Sequence, residues 1–374
     1  MSYHIGICHQ HVRAGDAIGH DIYGIYDLLS SMGFMVSIVG DYFDDITLKN
    51  KRVAEDIAKV NASQFHLLIY HHSTYWEGGE QFLHRFHGPI LFRYHNVTPH
   101  LFFQPYSQLY TDICYKGREQ TQRFIHSFPH AFWTADSAHN QSELIEIEPF
   151  GRKRFFQSPP FHRTQEFFSV STKRSENPLN ILFVGRFAPN KGHIHLIRTI
   201  YVYTATISES IVLRIIGAQD PELKEYYAEV IEEIQKLHVE KFVEIHNHVS
   251  HQELKNLFYQ SDIYLCLSEH EGFCVPIIEA QAAGLPVISS NCCALKETIG
   301  SGQFVSDIPK TPEDYYFYAR LIHEIATNST LRNQLIETGY QNIMHRFSIE
   351  KIENTFLEAL LPLLEIHFNP TDIR

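Results

Sequence analysis

Apolar and polar positions fall into two kinds of block along this chain. Short apolar runs recur in the first half at Tyr3–His9, Phe34–Val39, Phe65–Tyr70, Pro89–Tyr94 and Ala131–Ser137. They recur in the second half at Asn180–Arg186, Ile211–Gly217, Phe242–Val249, Ile263–Leu267 and Leu285–Ile288. Most of these runs have the length and content of strands buried on both faces, while Phe242–Val249 alternates in polarity. Between the runs the apolar spacing turns helical. Ile18, Ile22, Ile25, Tyr26 and Leu29 share one stripe, and Leu223, Tyr227, Val230, Ile234 and Leu237 share another. Ile352, Phe356, Leu360, Leu361 and Leu364 form a last stripe near the carboxyl end. Strand alternating with helix predicts an α/β protein with parallel sheets.

Periodicity fails once, in the polar stretch 163–178, RTQEFFSVSTKRSENP, which reads as a linker. The expected boundaries are 1–165 for a first Rossmann-like domain, 166–178 for the linker and 179–348 for a second. A length of 374 residues exceeds one ordinary core and agrees with two.

The most informative stretch is 262–290, DIYLCLSEHEGFCVPIIEAQAAGLPVISS. A buried strand runs into a polar turn, then a helix from Val275, then Gly284 and the next strand. Ligands of open α/β sheets bind at the carboxyl ends of strands. Gly272 and Phe273 offer backbone N–H groups there, suited to an anion. Glu271 and Glu279 flank them, and ionised carboxylates accept from vicinal hydroxyls. Sugar hydroxyls beside a diphosphate fit both needs. A second anion site is expected in VGRFAPNKG, where Arg186 ends a strand and Lys191 stands at a helix amino terminus.

In the first half, Gly15 and Gly19 lie in a loop between strand and helix, but their spacing is not G-x-G-x-x-G. A nicotinamide dehydrogenase is therefore unsupported. They read either as close-packing turn glycines or as a loop that approaches a phosphate or sugar. His71, His72 and His95 follow or end strands, where site residues concentrate. Asp136 and Ser137 are cap candidates for the helix that follows them.

Glu271 and Glu279, with seven residues between them in EGFCVPIIEAQAAGLPVI, resemble the E-x7-E signature of retaining glycosyltransferases of the GT-B fold. The closest resemblance is to family-4 enzymes of bacterial polysaccharide and lipid-linked glycan assembly. VGRFAPNKG resembles the same family's G-R-x-x-x-x-K-G. Cys274 departs from the pattern, since the family more often has Gly there.

The resemblance implies two Rossmann-like domains with parallel sheets facing a central cleft, and a last helix, 349–374, crossing back to the first domain. It implies transfer of a hexosyl group, with retention and an α linkage, from GDP-mannose or a UDP-hexose. The acceptor would be a glycan or lipid-linked saccharide bound by the first domain. Arg186 and Lys191 would hold the leaving diphosphate, helped by the amides of Gly272 and Phe273. Glu279 would take the ribose hydroxyls, Glu271 the sugar hydroxyls, and His95 the sugar's reacting face. Gly15 and Gly19 would face the donor, and Gly217 and Val249 would contact the base. The implied mechanism is front-face attack, with a donor phosphate oxygen taking the acceptor's proton.

Composition narrows this further. A formal net charge of −12 argues against nucleic-acid binding and against purely electrostatic attachment to lipid. Peripheral contact with the inner face of the cell membrane stays open, as does the choice between monomer and homodimer. No apolar run reaches the ~20 residues of a spanning helix, and no signal-peptide pattern opens the chain, so a cytoplasmic location is expected. Six cysteines form no CxxC pair and are expected reduced. Close histidine pairs lack a completing ligand set, and Asp44-Asp45 reads as a solvated loop. Neither cofactor nor metal is expected. A sugar-nucleotide epimerase and a non-catalytic sugar-nucleotide-binding protein remain the alternatives.

Overall fold

A computed structural model describes residues 3–44, 53–168 and 178–365. The chain divides into two units. One holds residues 1–99, 112–162 and 347–374, and the other 100–111 and 163–346.

The first unit is built on a seven-stranded sheet. Its strands are β1 (His4–Cys8), β2 (Met35–Gly40), β3 (Ala54–Asp56), β4 (Leu67–His72), β5 (Ile90–Tyr94), β6 (Phe132–Ala135) and β7 (Phe155–Gln157), in the order β3-β2-β1-β4-β5-β6-β7. Every pairing is parallel. The burial of every residue of β4 and β5 matches strands covered on both faces. Helix α1 (Ala17–Ser31) starts where Asp16 Oδ1 accepts from the Gly19 amide at 2.6 Å. Helices α2 (Glu77–His84), α3 (Gln108–Ser127) and α4 (Ala138–Ile147) follow. Ser137 alone caps α4, its hydroxyl accepting from Asn140 N at 3.1 Å. Asp136 is engaged elsewhere.

The second unit has a six-stranded parallel sheet: β8 (Leu179–Val184), β9 (Ile211–Ile216), β10 (Val243–His246), β11 (Ile263–Cys266), β12 (Val287–Ser290) and β13 (Phe304–Ser306). Their order is β10-β9-β8-β11-β12-β13. Its helices are α5 (His193–Thr206), α6 (Lys224–Lys236), α7 (His251–Tyr259), α8 (Val275–Ala282), α9 (Leu295–Thr298), α10 (Pro312–Thr327) and α11 (Ser329–Arg346). In both sheets the order reverses beside the first strand, which makes a topological switch point in each.

The unit boundaries differ from those expected in two places. The segment 100–111 was expected in the first domain but belongs to the second unit. Tyr106 packs on the second core and its hydroxyl donates to Glu229 at 2.7 Å. Residues 163–168 also join the second unit. Phe167 is fully buried there, its ring 5.1 Å from that of Phe258, and Glu166 meets His251 at 2.7 Å. Of the expected linker, residues 169–177 lie outside the described residues.

The last helix, α12 (Ile349–Glu365), belongs to the first unit. Ile352, Phe356, Ala359 and Leu360 join its core, and the Phe356 ring meets that of Phe161 at 5.8 Å. Phe356→Ala is expected to lower stability by about 3–5 kcal/mol, read as an earlier first transition in chemical denaturation.

Candidate functional site

In the second unit the loop after β8 and the loop after β11 are stitched together through their backbones. Glu269 N and His270 N both donate to Asn190 O, at 2.8 and 3.3 Å. Asn190 Nδ2 returns a bond to His270 O at 2.9 Å. Gly192 lies against the second loop so closely that a Cβ would stand 2.0 Å from Leu267 O, and its φ is +70°. Only glycine fits both constraints.

This stitch delivers Lys191 to Glu271. The Nζ donates to both carboxylate oxygens at 2.8 Å. Burial pulls the Lys191 pKa down, but the Glu271 carboxylate outweighs it and leaves the ammonium above its ordinary value. Arg186 is exposed and lies near enough to act on the Lys191 charge. Its guanidinium stands 5.7 Å from the Tyr110 ring centroid, and the Tyr110 hydroxyl donates to Asp220. Two cations and a carboxylate therefore gather at the carboxyl edge of the sheet.

The turn after Glu271 enters α8 through Phe273, whose carbonyl accepts from Thr298 Oγ1 at 2.7 Å, and Cys274. Cys274 has φ +76°, a conformation that favours glycine. Glu279 is buried on α8. Burial pushes its pKa up to about 7, against the pull of Arg163.

Gly217 is a close-packing position, with a Cβ placed 2.0 Å from Gly185 O. Val249 is half-buried just before Ser250, the cap of α7.

In the first unit the strand-end histidines form a connected group. His95 Nδ1 meets Asp136 Oδ2 at 2.8 Å, and His95 Nε2 meets His71 Nδ1 at 2.8 Å. Both ring nitrogens of His95 are thus engaged. Arg93, fully buried, donates to both oxygens of Asp21 at 2.7 and 3.0 Å and to the carbonyls of Ser158 and Pro159. Asp21 Oδ2 lies 3.6 Å from His71 Nδ1 and 3.7 Å from His95 Nε2. Burial holds the His71 pKa well below its ordinary value and brings His9 and His72 to about 3. His72 pairs with Thr121 Oγ1 at 2.8 Å, inside the fold. Gly15 is exposed in open space, whereas a Cβ on Gly19 would stand 1.6 Å from Arg13 O, so Gly19 is a packing glycine.

Residues 164–342 match the family model described as glycosyl transferases group 1. Among solved structures, Anabaena HepE in complex with UDP and glucose superposes with a TM-score of 0.76 at 15% identity, over 96% of this chain and 100% of that one. Sucrose-phosphate synthase of Thermosynechococcus elongatus gives 0.73 at 18% identity, over 97% and 100%. The fold is GT-B. A GDP-mannose:cellobiosyl-diphosphopolyprenol alpha-mannosyltransferase of Xanthomonas campestris is 32% identical over 127 residues, 33% of this chain and 32% of that protein.

The chain spans only about a third to a half of the length of the curated relatives it matches. Among the described residues no helix is long and apolar enough to cross a membrane.

Within the matched segment 164–342, Arg186, Lys191, Glu271, Gly272 and Phe273 lie on the stitched loops, while Glu279 stands further along α8. Tyr110 and Asp220 at Arg186 were missed, because Tyr110 was counted with the other domain. Asp21 was missed as well. It lies beside the apolar stripe of α1, and a carboxylate next to Ile22 and Ile25 was the available signal.

Two expectations follow. Gly192→Ala should lose both stability and ligand binding, read by thermal shift and calorimetry, because Leu267 O cannot yield to a Cβ. Glu279 has a folded pKa raised to about 7 from an unfolded value near 4.5. Between those values the folded state binds more protons, so stability falls as pH rises. Glu279→Gln should therefore gain on the wild type, by melting temperature, as pH moves from about 4.5 to 7.

Proposed function

We propose that the chain is a retaining glycosyltransferase. It moves a hexosyl group from a nucleotide-diphosphate sugar, GDP-mannose or a UDP-hexose, to a glycan or lipid-linked saccharide with an α linkage. The observation that carries this reading is the gathering of Arg186 and Lys191 beside the Glu271 turn.

Two cations set in place before reaction stabilise charge growing on a leaving diphosphate without reorganising at that moment. An arriving diphosphate competes with Glu271 for Lys191. The carboxylate it releases becomes an acceptor for sugar hydroxyls. Glu279 is assigned to the ribose hydroxyls, and the amides of Gly272 and Phe273 to the phosphates. Gly217 and Val249 are assigned to the edge of the base through their backbones, and Gly15 to the loop facing the donor. In the first unit His95 is assigned to a sugar hydroxyl. The acceptor's proton passes to a donor phosphate oxygen as the new bond forms on the face the diphosphate leaves. No metal takes part. The setting is cytoplasmic.

A panel of nucleotide sugars tests the ligand class by thermal shift. The right one at 100-fold excess over its dissociation constant adds about 2.7 kcal/mol. Arg186→Ala should lower kcat about 10²–10³-fold with an unchanged melting temperature. Lys191→Ala should lose as much and also melt earlier, because Glu271 is left buried and unpaired. Near-normal turnover in either variant removes the diphosphate assignment. Turnover should survive EDTA. Incubating the sugar nucleotide without acceptor, followed by NMR, separates this reading from an epimerase, which would consume it.

A further inference from the structure

The first unit holds a chain of polar contacts whose members were not assigned together to any role. It runs from Asp136 through His95 to His71, with Asp21 beside the last two.

Hydrogen counting fixes its direction. A carboxylate only accepts, so the contact between Asp136 Oδ2 and His95 Nδ1 places a hydrogen on Nδ1. In the neutral ring Nε2 is then an acceptor. With the ring neutral, the contact at His95 Nε2 is supplied by His71, whose Nδ1 carries the hydrogen. The far nitrogen of His71, Nε2, is buried with no hydrogen-bond partner. The other oxygen of Asp136 is buried without a hydrogen bond, and Arg93 Nη2 stands 3.6 Å from it as an ion-pair partner. Arg93 is fixed in turn by Asp21 and by two carbonyls. The ring of His95 thus has one nitrogen set by a buried carboxylate. The other is occupied by a neutral group that a better donor can replace.

We propose that Asp136 is a positioning residue that fixes His95 in the Nδ1–H tautomer. His71 caps His95 Nε2 until a ligand hydroxyl displaces it. The Nε2 presented in this way accepts from a sugar O–H and has nothing to donate to a phosphate oxygen. This assignment rests on the reading of His95 as a sugar-contacting residue and adds its direction: the ring accepts, and the sugar donates. A metal ion would use the same three atoms, but Arg93 already occupies Asp21, and the nitrogens stand at hydrogen-bonding distance.

Ring ¹⁵N shifts of His95 test this in the wild-type protein at alkaline pH, the signal being assigned by its loss in His95→Gln. The expected result is hydrogen on Nδ1 in the wild type, and a mixed or reversed tautomer in Asp136→Asn, whose amide can donate to Nδ1. A wild-type ring with hydrogen on Nε2, or a tautomer unmoved in Asp136→Asn, overturns the proposal. So does a stoichiometric zinc ion in the purified protein that His71→Gln loses. In the transfer assay Asp136→Asn should lower kcat about 10²-fold while KM for the nucleotide sugar stays near wild type. Equal kcat in the two proteins overturns the positioning role. If the wild type transfers no sugar at all, the functional reading fails separately, and the ring tautomer alone decides the inference.

Discussion

The carboxyl edge of the second sheet depends on one close approach, that of Gly192 to Leu267 O. Two loops from neighbouring strands can share backbone bonds only if no side chain stands between them. With that gap closed, Asn190 makes three hydrogen bonds to the second loop, and Lys191 has little freedom left. Its bidentate pairing with Glu271 follows from placement. The pair is an arrangement in waiting: a cation and an anion that satisfy each other and offer either charge to a ligand that competes.

The first unit answers a similar need with a buried guanidinium. Placing Arg93 and Asp21 out of water is costly unless every polar atom finds a partner. Here both carboxylate oxygens are met, and the carbonyls of Ser158 and Pro159 take further donors. Asp21 Oδ1 also accepts from Phe161 N at 2.7 Å. One ion pair thus ties α1, β5 and the end of the sheet to a single point, and the strand-end histidines are arranged around it.

Much of this was legible in the residues. Ten of the thirteen strands in the two sheets appear as apolar runs, because a parallel strand covered on both faces admits little polarity, whereas the edge strands β3, β7 and β13 do not. The loops that carry Arg186, Lys191 and Glu271 were legible too, because turn chemistry and charge are local. What was not legible is pairing across long separations. Lys191 and Glu271 are 80 positions apart, and no local pattern says that they touch. Asp136 looked like a helix cap, since Asp-Ser before a helix allows either residue to serve. Ser137 took that role and freed Asp136 for His95. Gly19 read as ligand-facing from its loop position, yet it sits where the Arg13 carbonyl leaves no room for a Cβ. A glycine needed for packing and one needed for a ligand have the same letter.

The membership of residues 100–111 in the second unit means that the chain passes from one unit to the other four times, after 99, 111, 162 and 346. Neither unit is a continuous piece of polypeptide. A fragment cut to the second unit's long segment would lack Tyr106 and Tyr110, stripping Glu229 and Asp220 of their phenol partners. Domain exchange between relatives of this protein therefore requires a graft of two inserts, with the short aromatic one carried along with the half whose core it completes.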